Sequence, residues 1–180
     1  SSTNEDTPTV EATVDAPVVE ITSDNASAVH LNNNASLTLG SETRPSQISV
    51  SSPEGQNAVE LASPNSEVTF TNSSVNITSG NIISNGVLRL EDTRLTLSPQ
   101  SIFSVQNNGS FTGNDSSIIV NDSQTIFQIV DNRATGLRVL ASGTYSDALG
   151  SPEAARAALA SQLSINNAEG SDYLLGGEAG

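Results

Sequence analysis

At 180 residues the chain suits a single domain with tails. It carries 20 acidic side chains against six Arg and no Lys, and the resulting charge of -14 repels phosphate backbones and anionic membrane surfaces, so no nucleic-acid partner is expected. The lack of cysteine excludes a disulfide framework and any thiolate nucleophile or Cys-based metal site, and no apolar run approaches the roughly 18 residues of a spanning helix.

The packing material is unusual. Apolar residues make up 35% of the chain but aromatics only 3%, with four Phe and no Trp or Met, so rows of Val, Ile and Leu must fill the interior. Stacked aliphatic rows suit a thin solenoid better than a sandwich built round aromatic anchors.

In chain order, residues 1–27 are rich in Thr, Val, Pro and acids and read as an acidic tail or N-terminal cap, with one strand at Val18–Ile21. The start, SSTNED, shows no basic-then-apolar leader, so any signal peptide is expected to have been removed. From 28 to 145 short apolar triplets are separated by Asn, Ser, Gly and Asp, residues that turn a chain at low cost. Ala28-Val29-His30-Leu31 is followed by Ser36-Leu37-Thr38-Leu39, and Ala58-Val59-Glu60-Leu61 by Glu67-Val68-Thr69-Phe70. Val87-Leu88-Arg89-Leu90 and Arg94-Leu95-Thr96-Leu97 read as a third copy. Alternation turns two side chains of each triplet inward and one outward, and winding like onto like builds a right-handed parallel β-helix. A β-sandwich is the alternative, because evenly spaced strands suit it too. Residues 146–180 read as a helix-containing C-terminal cap and linker: Ser151 is the N-cap, Pro152 occupies N1, and Leu159 and Leu163 share a face that would cover the open end.

The run ISVSSPEGQNAVELASPNSEVTFTNSSVNITSG, from Ile48 to Gly80, resembles the passenger repeats of pertactin-like autotransporters. Gln56-Asn57-Ala58-Val59, Ser66-Glu67-Val68-Thr69 and Ile77-Thr78-Ser79-Gly80 carry the likeness. The resemblance implies a bacterial cell-surface or secreted β-helix, associated with the outer membrane and acting in adhesion. Its partner would be a host-cell, matrix or glycan ligand, or a second copy. The export barrel of such proteins is absent from the chain, as is an Arg-Gly-Asp triplet.

Catalytic chemistry finds little support. His30 is the sole histidine, which removes clustered-His metal sites and weakens any Ser-His-Asp triad. No catalytic, cofactor or metal residue is assigned, and no enzyme activity is expected. Aligning the three copies puts His30, Glu60 and Arg89 at one outward position, an expected surface ion-pair column. The enzymatic alternative is a carbohydrate-active β-helix of lyase or hydrolase type, for which Glu91-Asp92 with Arg89 and Arg94, and Asp131 with Arg133, are the candidate groups.

Overall fold

The computed structural model describes residues 10–130, 133–166 and 173–178. Strands follow one another three to a coil. The first coil holds β1 (Val10–Val14), β2 (Val18–Thr22) and β3 (Val29–Leu31), and the second β4 (Ala35–Gly40), β5 (Ser46–Ser51) and β6 (Asn57–Leu61). Then come β7 (Glu67–Thr71), β8 (Ser73–Ser79) and β9 (Asn81–Ser84), followed by β10 (Val87–Glu91), β11 (Arg94–Thr96) and β12 (Ile102–Val105). The fifth coil is β13 (Ser110–Asn114), β14 (Ser117–Val120) and β15 (Ile126–Val130). The last contains β16 (Arg133–Thr135), β17 (Leu137–Ala141), helices α1 (Gly143–Leu149) and α2 (Pro152–Gln162), and β18 (Leu163–Asn166), with β19 (Tyr173–Gly177) stacked beyond β17.

Every strand pairs in parallel with its counterpart one coil away, giving three sheets in the orders β1-β4-β7-β10-β13-β16, β2-β5-β8-β11-β14-β17-β19 and β3-β6-β9-β12-β15-β18. This is a right-handed parallel β-helix, and the uniformly parallel pairing overturns the sandwich alternative. Among the described residues the coil is already formed at Val10, inside the stretch read as an acidic tail or N-terminal cap, and β18 and β19 extend the coils past residue 145.

Alternation drives the interior. In the second sheet Val19, Ile48, Val75, Leu95, Ile118, Val139 and Leu175 fall in one inward row. In the third, Val29, Val59, Ile82, Phe103, Phe127 and Leu163 do the same. All four Phe are buried, and Phe103 stacks on Phe127 with ring centroids 4.5 Å apart. Aromatics are therefore few, but they sit in line with the aliphatic rows.

The corner between the first and second sheets repeats a three-residue device. Asn72, Asp92 and Asp115 adopt left-handed φ of 50°, 48° and 49°, and Gly136 takes φ 65° at the same corner one coil on. A Cβ on Gly136 would meet the carbonyl of Gly113, so glycine is required there. After each of the three polar left-handed residues comes a buried hydroxyl: Ser73, Thr93 and Ser116, with Ser46 in register one coil earlier. These hydroxyls donate to main-chain carbonyls, Ser46 to Ala16 at 2.7 Å, Ser73 to Thr71 at 2.6 Å, Thr93 to Glu91 at 2.8 Å and Ser116 to Asn114 at 2.8 Å. Two of these carbonyls also receive main-chain donors, Glu91 from the Asn72 N–H at 2.8 Å and Asn114 from the Asp92 N–H at 2.9 Å, so there the hydroxyl occupies the second lone pair. At the corner leading into the first sheet, amide side chains stack instead, Asn65 on Asn34 and Asn107 on Asn85.

The helix expected at the C-terminal end is α2. Ser151 caps it by accepting the Ala154 N–H at 3.0 Å, Pro152 opens it, and Ala155 and Leu159 join the core. Leu163 ends the helix and begins β18, so it packs as a strand residue rather than on the helix face.

Candidate functional site

His30 and Glu60 stand opposite each other on the outer face of the third sheet, in the register Val29↔Val59, His30↔Glu60, Leu31↔Leu61. The imidazole Nδ1 lies 3.8 Å from Glu60 Oε1. That oxygen also accepts from Asn57 Nδ2 at 3.1 Å and Ser27 Oγ at 3.0 Å. The Asn57 amide, then Ser27 and the imidazole charge, hold the Glu60 carboxyl below the usual carboxylate range against the opposing effect of burial.

Arg89 does not continue this column. It lies on β10, in the first sheet, between Thr69 and Thr112. Its Nε donates to Glu67 Oε2 at 3.2 Å, and the residue that follows Glu60 in the third sheet is Ile83. The coil shortens: Leu37 pairs with Val68, but Val68 pairs with Leu88 only 20 residues on, which brings the third triplet onto a different sheet. The apolar-x-apolar pattern is common to all three sheets and cannot reveal that change of phase.

Glu91 and Asp92 sit at the corner after β10 and, with Glu42, Thr69 and Thr71, line a depression of about 300 Å³. Glu91 accepts from Asn114 Nδ2 at 2.6 Å. The arginines expected beside these acids go elsewhere, Arg89 to Glu67 and Arg94 to Glu178 at 2.7 Å. That second contact raises the Arg94 pKa and depresses that of Glu178, its hydrogen bond being the main cause in both. Asp131, the partner expected for Arg133, lies outside the described residues.

A cleft of about 470 Å³ lies where α1 meets the turn between β14 and β15. Pro99, Ala148 and Leu149 give it apolar walls, and Asp122 and Gln124 supply polar groups. The Asp122 carboxylate is already engaged, accepting from the main-chain N–H groups of Gln100, Gln124 and Thr125 and from the Thr125 hydroxyl. Behind the cleft, the Tyr145 hydroxyl donates to Gln162 Oε1 at 2.8 Å, and Gln162 Nε2 donates to the carbonyls of Asp122 and Thr125. Burial first, and the Asp122 charge second, push the Tyr145 pKa up. This network braces both helices against the coil, and the cleft contains no nucleophile paired with a base.

Among the described residues no group of three His, Cys, Asp or Glu is placed to hold a metal ion, and no helix is long and apolar enough to cross a membrane. No protein family, no curated protein and no solved structure matches the chain. The functional reading therefore rests on the coil itself.

Proposed function

We propose that this chain is a non-enzymatic extracellular binding module, a passenger segment of autotransporter-type adhesin, which presents the long faces and corners of its coil to a host-cell, matrix or glycan ligand. The observation that carries the reading is the distribution of outward groups. Thr13, Thr38, Thr69, Thr112 and Thr135 run in line with Arg89 along the first sheet, the charged pairs His30–Glu60, Arg44–Asp15 and Arg89–Glu67 are each formed between neighbouring coils, and the interior is apolar. Seven strands at about 4.8 Å per step make a rod on the order of 30 Å long with flat, hydroxyl-rich sides, a surface suited to contact over length rather than to enclosing a small substrate. The absence of cysteine and the resemblance of residues 48–80 to passenger repeats support an exported protein.

A second reading, a carbohydrate-active β-helix, is favoured by the three carboxylates of Glu42, Glu91 and Asp92 around one depression. Glycan-array binding and a polysaccharide degradation assay separate the two. The binding module predicts retention of one or more glycans or matrix components without turnover. Turnover that disappears in Glu91→Gln would replace it with the enzymatic reading.

A further inference from the structure

The flat profile of the coil is broken at the corner between the second and third sheets, where α1 stands over the turn joining β14 to β15 and the 470 Å³ cleft opens. Its lining divides into two chemistries. Pro99, Ala148 and Leu149 are apolar, and Leu149 remains 43% exposed. Ser123, Gln124 and Thr144 are polar and exposed, and none of their side chains makes a hydrogen bond among the described residues. Asn121 donates its Nδ2 to the Leu97 carbonyl at 3.1 Å and leaves its own side-chain carbonyl unspent.

Both walls are set before any ligand arrives. Three main-chain N–H groups and the Thr125 hydroxyl converge on the Asp122 carboxylate, and Gln162 ties the same turn to Tyr145. Binding to such a cleft orders little that was mobile, and its volume falls within the roughly 300–1,000 Å³ of small-ligand sites. Charge narrows the ligand further. No arginine lines the cleft and the chain has no lysine, so an anionic ligand would meet only Asp122. The four hydrogen bonds already on that carboxylate compensate it without a bound cation. An uncharged ligand is left, one that offers an apolar face together with groups that both donate and accept. A pyranose has these properties, because its ring carbons present C–H faces and its hydroxyls match the free amide of Gln124 and the hydroxyls of Ser123 and Thr144.

We propose, on the strength of the glycan-binding reading above, that this cleft seats a neutral pyranose at the end of an uncharged glycan. Leu149 and Pro99 cover a ring face, and Gln124, Ser123 and Thr144 take the hydroxyl edge. Sialic and uronic acids are turned away by Asp122 and by the overall charge of -14.

Main-chain amide NMR on the 180-residue chain tests this. The probes are methyl glycosides of glucose, galactose and mannose, N-acetylglucosamine, N-acetylgalactosamine, N-acetylneuraminic acid and glucuronic acid, each titrated to about 50 mM. At least one neutral sugar should shift the signals of Ser123, Gln124, Thr144 and Leu149 with a Kd of about 10 mM or tighter, and neither acid should do so. Gln124→Ala, in an exposed turn, should weaken that sugar by about threefold to tenfold. Ala148→Trp fills the cleft from an exposed helix position and should abolish the shifts, with an unchanged melting curve showing that each variant folds. The same variants on a glycan array separate this site from the wider reading. Glycan retention that survives Ala148→Trp, sugar shifts that map away from the cleft, an acid bound in it, or no shift from any neutral sugar would each overturn the assignment while leaving a binding module that meets its ligand elsewhere. Turnover of a cleft-bound sugar would instead keep the site and remove the non-enzymatic reading.

Discussion

Replacing Thr93 with Val tests whether the hydroxyl column at the corner holds the coil together. Thr93 is 3% exposed, and its hydroxyl lies 2.8 Å from the Glu91 carbonyl and 3.0 Å from that of Phe70, while its own N–H donates to Ser116 Oγ at 2.9 Å. Valine keeps the shape and adds apolar surface, so burial alone predicts a gain. The hydrogen-bond account predicts a loss. The Glu91 carbonyl keeps the Asn72 N–H at 2.8 Å, so what is lost is the hydroxyl's own hydrogen bonding, about 0.5–1.5 kcal/mol. At about 2–4 °C per kcal/mol for a chain of this size, the melting temperature should drop by a few degrees. Ser146 supplies the control, because its buried hydroxyl has no hydrogen-bond partner among the described residues. Ser146→Ala should leave stability unchanged or raise it by up to about 1 kcal/mol. Both variants can be followed by circular dichroism in heat and urea, with coincident transitions checked first because stacked repeats can unfold in parts. If Thr93→Val proves as stable as wild type, the column is a consequence of tight turning and not a source of stability.

Val59→Asp places a carboxylate in the inward row between Val29 and Ile82, at a site with no exposure, and should cost more than about 4 kcal/mol; a near-native urea midpoint would contradict the packing. A double-mutant cycle between Glu67 and Arg89 should return a coupling of up to about 1 kcal/mol, whereas the cycle between Glu60 and Arg89 should return none, which separates the observed register from the three-copy column. The Glu60 carboxyl is depressed below its ordinary value of 4.5, so its contribution is fully present above that value and is lost as the pH falls through the lower folded value. Glu178 acts in the same sense through Arg94. Glu60→Gln should therefore lose less melting temperature than wild type on acidification below about pH 4.5, and parallel curves would refute the linkage.

The fold was legible because a parallel coil prints its alternation on the sequence: Val29-x-Leu31 above Val59-x-Leu61 is a true inter-coil pair. The phase further on was not legible from the same signal. Leu88-x-Leu90 satisfies the pattern equally well on any sheet, and only the shortening of the coil moved it beside Val68-x-Phe70. A different mark was present and informative, the polar left-handed residue followed by a hydroxyl: Asn72-Ser73, Asp92-Thr93 and Asp115-Ser116 each identify the same corner. Counting from those pairs would have put Arg89 beside Thr69, two residues along the strand from its partner Glu67. The site was harder to read for another reason. The depression at Glu42, Glu91 and Asp92 joins residues of three coils at one corner, and nothing in the local sequence around Glu42 points to the other two acids.

The parallel stacking described above also fixes how the molecule would yield to force. The hydrogen bonds between coils run along the rod, so tension applied at its two ends loads them one coil at a time and peels the stack instead of shearing it. Val68, Leu88, Phe111 and Ala134 follow one another at 20, 23 and 23 residues, so these middle coils free similar lengths of thread, while the coil from Leu37 to Val68 frees more. At about 3.4 Å per extended residue that is roughly 65–75 Å per step once the lost rise is subtracted. A tether built this way lengthens in small increments, nearly equal over its middle coils, and each coil can rewind on its neighbour when the load is removed.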